Sequence, residues 1–171
     1  MRSGGAGRAE NEDAEKDRAH GGAYNTRGMR IYLACTVRGD RGAIGMAREL
    51  ADALEQSGHT VLTRHLLEED VERAESALTE QDVFERDLDW LRAADVLIAE
   101  ASGSSYGVGF EVGYVLGRSD TSRQRVILLY EAARRFVVSR LIAGNSHPAC
   151  STYAYRGRED LLDFVSRTLV A

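Results

Sequence analysis

Residues Asp95–Gly113 read DVLIAEASGSSYGVGFEVG, and their order decides the fold. Asp95–Glu100 (DVLIAE) is a short apolar run without polar alternation, the pattern of a strand buried on both faces. A turn rich in Gly and Ser follows, and Val108–Leu116 then takes up a helix. The same alternation runs outward in both directions. Upstream lie a strand at Arg30–Cys35 (RIYLAC) and a helix over Arg41–Gly58. In that helix Ile44, Met46, Ala47, Leu50 and Leu54 keep helical spacing, and Gly58 is its stop. Thr60–Thr63 reads as a second strand. Leu66–Ala77 is acidic and reads as a loop or a short helix. Glu80–Ala94 is a helix with Val83, Phe84, Leu88 and Leu91 on one face. Downstream come a strand at Arg125–Tyr130, a short helix at Phe136–Ile142, a strand at Thr152–Tyr155 and a helix at Glu159–Leu169. Strand, helix, strand, repeated, predicts an α/β fold: a doubly wound, Rossmann-like, five-stranded parallel sheet with helices on both faces. Ligands of such sheets bind beyond the carboxyl ends of the strands, near the switch point. The segments after Cys35, Glu100 and Tyr130 therefore hold the candidate chemistry.

The chain has 171 residues, enough for one domain with a real core. Residues 1–28 carry Gly, Ala, Arg, Glu and Asp with almost no large apolar side chains. They cannot offset their ordering entropy by burial, so we expect a flexible tail, with the folded domain at 29–171. A net charge of −5 supplies no basic field, so nucleic-acid polymers are not expected partners. No apolar run reaches the roughly 20 residues of a membrane span, and no signal-peptide core follows Met1. Cys35 and Cys150 form no CxxC or zinc pattern, and Cys35 reads as a buried free thiol. These features predict a cytoplasmic protein that does not associate with membranes.

Three segments carry possible chemistry. Thr36-Val37-Arg38-Gly39-Asp40-Arg41 follows the first strand. A hydroxyl, a glycine and two arginines at a strand end suit a phosphate, and they equally suit a solvated loop. It is not a Walker A loop. The second segment, Ser102–Gly113, pairs a glycine-rich turn with a helix N-terminus. Ser105 and the Gly107 amide are placed to hold an anion there. Glu111 falls in the first turn of the predicted helix, where the dipole keeps a carboxylate ionised. It reads either as a nucleophile toward a sugar carbon or as a simple helix cap. The third segment, Glu85–Trp90, puts Asp87 one turn from Trp90 and Leu91, either drawn into a cleft or on a solvated helix face.

Taken together, IYLACTVRGDR (31–41), ERDLDWLRAADVLIAE (85–100), SSYGVGFEVG (104–113) and VVSRLIAGN (137–145) resemble the 2′-deoxynucleoside 5′-phosphate N-hydrolase family, within the nucleoside 2-deoxyribosyltransferase-like superfamily. The resemblance covers about residues 30–170. It implies a double displacement in which Glu111 attacks the anomeric carbon to form a glycosyl–enzyme ester that water then opens. It implies that Asp87 helps protonate the leaving base, and that Tyr32 lies against the catalytic carboxylate. Thr36, Val37, Arg38, Ser105 and Gly107 match the phosphate cradle, with Cys35, Gly39, Arg41, Gly109 and Leu141 as further binding positions. His65 matches a histidine beside the substrate. Ser139 matches a serine that reaches the phosphate of the neighbouring subunit, which implies a homodimer with shared sites. No metal and no cofactor is implied. Leu66–Thr79 is the segment expected to shape the base pocket.

The chain departs from the family at Cys35-Thr36, where Gly-Ser is usual, and at Asp40, where a second Gly is usual. Both lie beside the sugar and phosphate, so deoxyribose and ribose both stay open. The expected activity is hydrolysis of a (2′-deoxy)nucleoside 5′-monophosphate to free base and sugar 5-phosphate. The alternatives are a 2-deoxyribosyltransferase acting on unphosphorylated nucleosides, a ribonucleotide (CMP-type) N-hydrolase of a nucleoside-antibiotic pathway, and a non-catalytic nucleotide-binding module.

Overall fold

A computed structural model describes residues 28–170, so the tail expected over 1–28 lies outside the described residues except for Gly28. Five strands form one sheet: β1 (Arg30–Ala34), β2 (Thr60–Val61), β3 (Val96–Glu100), β4 (Arg125–Glu131) and β5 (Cys150–Tyr155). Six helices connect or follow them: α1 (Ile44–Gln56), α2 (Val71–Glu75), α3 (Glu80–Ala93), α4 (Tyr106–Leu116), α5 (Arg140–Ala143) and α6 (Arg158–Val170). All neighbouring strands pair in parallel, in the order β2-β1-β3-β4-β5. This is the doubly wound sheet that the alternation predicts.

The reason is visible in β3. All five of its residues are buried, because helices cover both of its faces. On one face Ile31, Leu33, Val96 and Ile98 pack under α1 and α6, against Leu50, Leu54, Leu161 and Val165. On the other, Tyr32, Ala34, Leu97 and Ala99 pack under α3 and α4, against Leu91, Val108 and Val112. From β1 the chain moves outward to β2, then returns to the other side of β1 for β3, β4 and β5. The order reverses between β1 and β3, so their carboxyl ends flank the crevice.

Several boundaries differ from the sequence expectation, each for a local reason. β2 stops at Val61, because the Thr63 side chain takes over pairing with β1. Its Oγ1 accepts from Leu33 N–H at 3.0 Å and donates to Leu33 O at 2.8 Å. Arg64–Leu67 then forms a 3₁₀ turn. α1 begins at Ile44, after a turn in which Gly42 N–H donates to Asp40 Oδ1 at 2.9 Å. α4 begins at Tyr106, two residues early, because Ser105 caps it. The helix expected over Phe136–Ile142 is confined to Arg140–Ala143, preceded by a 3₁₀ turn at Ala132–Arg134. Thr79 forms a capping box with Asp82 and fixes the start of α3. Among the described residues no helix is long and apolar enough to cross a membrane.

Candidate active site

A cleft of about 540 Å³ opens beyond the carboxyl ends of β1 and β3, within the size range of small-molecule sites. Three strips of chain meet there. Cys35, Val37 and Arg38 come from the β1–α1 loop. Ser104 to Val108 and Glu111 come from the start of α4. Asp87, Glu80 and Val83 come from α3, with Leu66, Glu75 and Leu78 from the segment before it.

Glu111 is the most perturbed acid of the cleft. Tyr32 donates its hydroxyl hydrogen to Glu111 Oε1 at 2.7 Å, across 79 positions of sequence. Tyr32 itself is fully buried in β1. Burial pushes the Glu111 carboxyl up to about 7. The Tyr32 hydrogen bond opposes that rise, and the nearby Asp87 adds to it. Two expectations are corrected here. With α4 starting at Tyr106, Glu111 lies in its second turn, not the first. The helix dipole fades beyond the first turn, so it does not hold Glu111 ionised, and desolvation wins. Glu111 is also not the helix cap: that place is taken by Ser105, whose Oγ accepts from Val108 N–H at 3.3 Å.

Asp87 is half-buried, and burial raises its pKa, with Arg86 pulling the other way. The Arg86 guanidinium bridges two carboxylates, Glu75 at 2.6 Å and Asp87 at 2.9 Å. It also lies 4.8 Å from the Trp90 ring centre. His65 is within 3.4 Å of Glu75 and packs edge-on to Trp90, with ring centres 5.1 Å apart. His65 is therefore one layer behind the cleft wall, reaching it through Glu75. Glu75, Arg86 and Trp90 had no assigned role in the sequence. Arg86 and Asp87 are adjacent in a helix, and adjacent helical residues do not normally face each other. Only the length of the Arg86 side chain folds it back. Glu75 sits in the acidic stretch that shows no periodicity.

The loop after β1 divides between ligand-facing and structural residues. Arg38 is exposed at the cleft, and among the described residues it has no ion-pair partner within 4.0 Å. Arg41 does not share this position. Its guanidinium donates to the carbonyls of Val37 (3.2 Å), Leu66 (3.3 Å) and Glu68 (3.1 Å), so it ties the loop to the next connection and leaves the cleft wall to its neighbours. Gly39 has a φ of 108°, a turn conformation that excludes ordinary side chains at low cost. The Cys35 thiol lines the cleft, and burial pushes it up to about 12, so it is inert as a thiolate. Thr36 is buried beneath the loop, and its Oγ1 has no hydrogen-bond partner among the described residues.

The glycines also divide. A Cβ at Gly107 would make ordinary contact with Ser105 Oγ at 3.6 Å, and one at Gly109 would meet nothing within 4 Å. Gly109 lies outside the cleft lining. The tight position is Gly103, where a Cβ would sit 2.4 Å from the Asp40 carbonyl oxygen. Ser139 and Leu141 are not brought to this cleft either. Both are exposed on the connection between β4 and β5, Leu141 84% so.

Residues 31–154 match the family model described as nucleoside 2-deoxyribosyltransferase. The chain belongs to the nucleoside 2-deoxyribosyltransferase family. A relative in Thermofilum pendens, named as a 2′-deoxynucleoside 5′-phosphate N-hydrolase, is 40% identical over 135 residues, which cover 79% of this chain and 91% of that protein. One in Esox lucius, named as a 5-hydroxymethyl-dUMP N-hydrolase, is 33% identical over 119 residues, 68% of this chain and 79% of that protein. Among solved structures a CMP N-glycosidase of Clostridium botulinum shares the fold, with a TM-score of 0.60 at 18% identity over 81% of this chain and 98% of that one. The fold shared with that structure is the parallel sheet described above.

Proposed function

We propose that this chain hydrolyses the N-glycosidic bond of a 2′-deoxynucleoside 5′-monophosphate, releasing free base and deoxyribose 5-phosphate. The observation that carries the reading is the Tyr32–Glu111 hydrogen bond, which aims a desolvated carboxylate into a cleft that also holds Asp87 and the unpaired Arg38. The named functions of the curated relatives point the same way.

In this reading one Glu111 oxygen attacks the anomeric carbon while the bond to the base breaks. The electron pair leaves with the base, which Asp87 helps to protonate. The product is a glycosyl ester of Glu111. A water, deprotonated by Asp87, then attacks the same carbon and restores the Glu111 carboxylate. Tyr32 holds the attacking carboxylate in place. Arg38, Ser105 and the first amides of α4 take the 5′-phosphate, where the positive end of the helix favours an anion. The exposed Phe136 and Leu141 beside Ser139 support the further reading of a homodimer in which Ser139 completes the partner's phosphate site. Two free cysteines are in keeping with a cytoplasmic location. In this reading the domain at 29–171 supplies every one of these residues, Ser139 reaching the site from the second copy.

The test is a panel of deoxyribo- and ribonucleotides, with matching nucleosides, followed by chromatography of free base. Cleavage of nucleotides that Glu111→Ala abolishes is the expected result. A wild type that cleaves none of them, or a variant that cleaves as fast, removes the reading. Faster turnover of unphosphorylated nucleosides with an acceptor base would place the chain among the transferases.

A further inference from the structure

Asp40 stands outside the cleft, yet it is tied on three sides. Its Oδ1 accepts from Gly42 N–H at 2.9 Å. Its Oδ2 accepts from Arg134, which follows β4 and lies 94 positions away. Its carbonyl oxygen packs against Gly103, where no Cβ would fit. The Arg134 guanidinium lies so close to Gly42 that a Cβ there would be 2.4 Å from Nη1. The loop Thr36–Gly42 is thus clamped between the end of β3 and the segment after β4. That same segment runs on to Ser139.

We propose that Asp40 and Arg134 form a latch that holds the β1–α1 loop in its phosphate-binding shape, which makes both of them positioning residues. This rests on the phosphate reading above. Arg38 sits at the free edge of the loop and, among the described residues, carries no ion pair of its own. Its placement depends on what fixes the loop's other edge. On one side that is Arg41 with its three carbonyls. On the other it is the Asp40–Arg134 pair, in which Arg134 is 23% exposed and Asp40 47%. Glu131 and Glu100 add to the negative field around Arg134. An open latch leaves Glu111, Tyr32 and Asp87 untouched, so it acts on phosphate capture and not on bond cleavage.

The experiment compares wild type with Asp40→Asn, Arg134→Gln and Gly42→Ala. Asn keeps the acceptor for Gly42 N–H but loses the charge. Ala displaces the guanidinium without changing any charge. Each is assayed for kcat and KM on a nucleoside 5′-monophosphate, and for the inhibition constant of inorganic phosphate. A partly exposed ion pair corresponds to about a 2–5-fold effect, so KM and the phosphate inhibition constant rise by about that factor while kcat stays close to wild type. Arg134→Lys recovers most of the loss, the double variant Asp40→Asn/Arg134→Gln is no worse than either single one, and the differences shrink in high salt. Unchanged KM and phosphate inhibition in all three variants overturn the latch, even if their melting temperatures fall. So does a drop confined to kcat. A wild type that cleaves no nucleotide overturns the functional reading and the latch with it, so the two failures are told apart by the wild type alone.

Discussion

Replacing Tyr32 with Phe removes one hydroxyl and leaves the ring packed in β1. The lost group is the donor to Glu111 Oε1 at 2.7 Å, which opposes the rise of the Glu111 carboxyl to about 7. A hydrogen bond to a charged acceptor is worth about 1.5–3 kcal/mol. At 1.36 kcal/mol per pH unit, its loss moves the carboxyl up by about 1–2 pH units, to about 8–9. Only the ionised carboxylate attacks carbon. Wild-type kcat/KM therefore falls on the acid side with an apparent pKa near 7, and the Tyr32→Phe limb lies about 1–2 units higher. Near neutral pH the ionised fraction drops from about half to between a tenth and a hundredth, a loss of about 5–50-fold that alkaline pH recovers. The assay is base release over a pH series at subsaturating substrate. A limb that stays put, moves to lower pH, or a loss equal at every pH refutes the reasoning. Because the charge of Asp87 adds to the rise of Glu111 in both proteins, the comparison between variants is the informative quantity.

Glu111→Gln keeps an acceptor for Tyr32 and removes the buried charge. The folded carboxyl, at about 7, lies above its ordinary 4.5, so the stability it contributes is complete below 4.5 and is lost as pH rises through 7. The variant is therefore more stable than wild type by up to about 3 kcal/mol at alkaline pH, with no difference at acid pH, as read by denaturant unfolding at both pH values. Arg38→Gln raises KM for a nucleotide by about 10-fold, the cost of one charge-assisted phosphate contact, and leaves the much slower cleavage of the matching nucleoside unchanged. If both substrates suffer equally, Arg38 does not read the phosphate. In a homodimer with shared sites, Glu111→Ala and Ser139→Asp subunits are each inactive alone, and an equilibrated 1:1 mixture regains about one quarter of wild-type activity. A mixture that stays inactive rules out the shared site.

The fold was legible because its signals are periodic. The continuous apolar run of β3 and the helical spacing in α1 are both direct consequences of which faces are buried. The boundaries were less legible where a single side chain replaces the backbone. Thr63 ends β2 by bonding Leu33, and Ser105 starts α4 early, and neither act leaves a pattern over several residues. Of the cleft residues, Asp87, Arg38, Ser105, Gly107 and Glu111 stood in segments whose residue types already suggested an anion or a carboxylate. Arg41 looked equivalent to Arg38 in the sequence. Three backbone carbonyls decide otherwise, and carbonyl positions are tertiary information. The same holds for Glu75, which becomes part of the wall only because Arg86 reaches it across 11 positions. The Asp40–Arg134 pair, 94 positions apart, has no local signal at all.

The shift of Glu111 from the first to the second turn of α4 changes what the helix does. A carboxylate in the first turn would compete with a phosphate for the same free amides. With Ser105 as cap, the amides of Tyr106 and Gly107 remain for a ligand, and only Val108 N–H is used by the cap itself. Glu111 lies four residues beyond Gly107, roughly 6 Å farther along the axis. One helix thus offers an anion site at its end and a carboxylate about one turn further on. That carboxylate is past the reach of the dipole, which would have kept it fully ionised and weakly nucleophilic. Its basicity is set by burial against Tyr32 and Asp87 instead. Moving the carboxylate one turn back toward the start of α4, as in the double variant Glu111→Gln/Gly107→Glu, returns it to the anion site and abolishes phosphate capture and cleavage together.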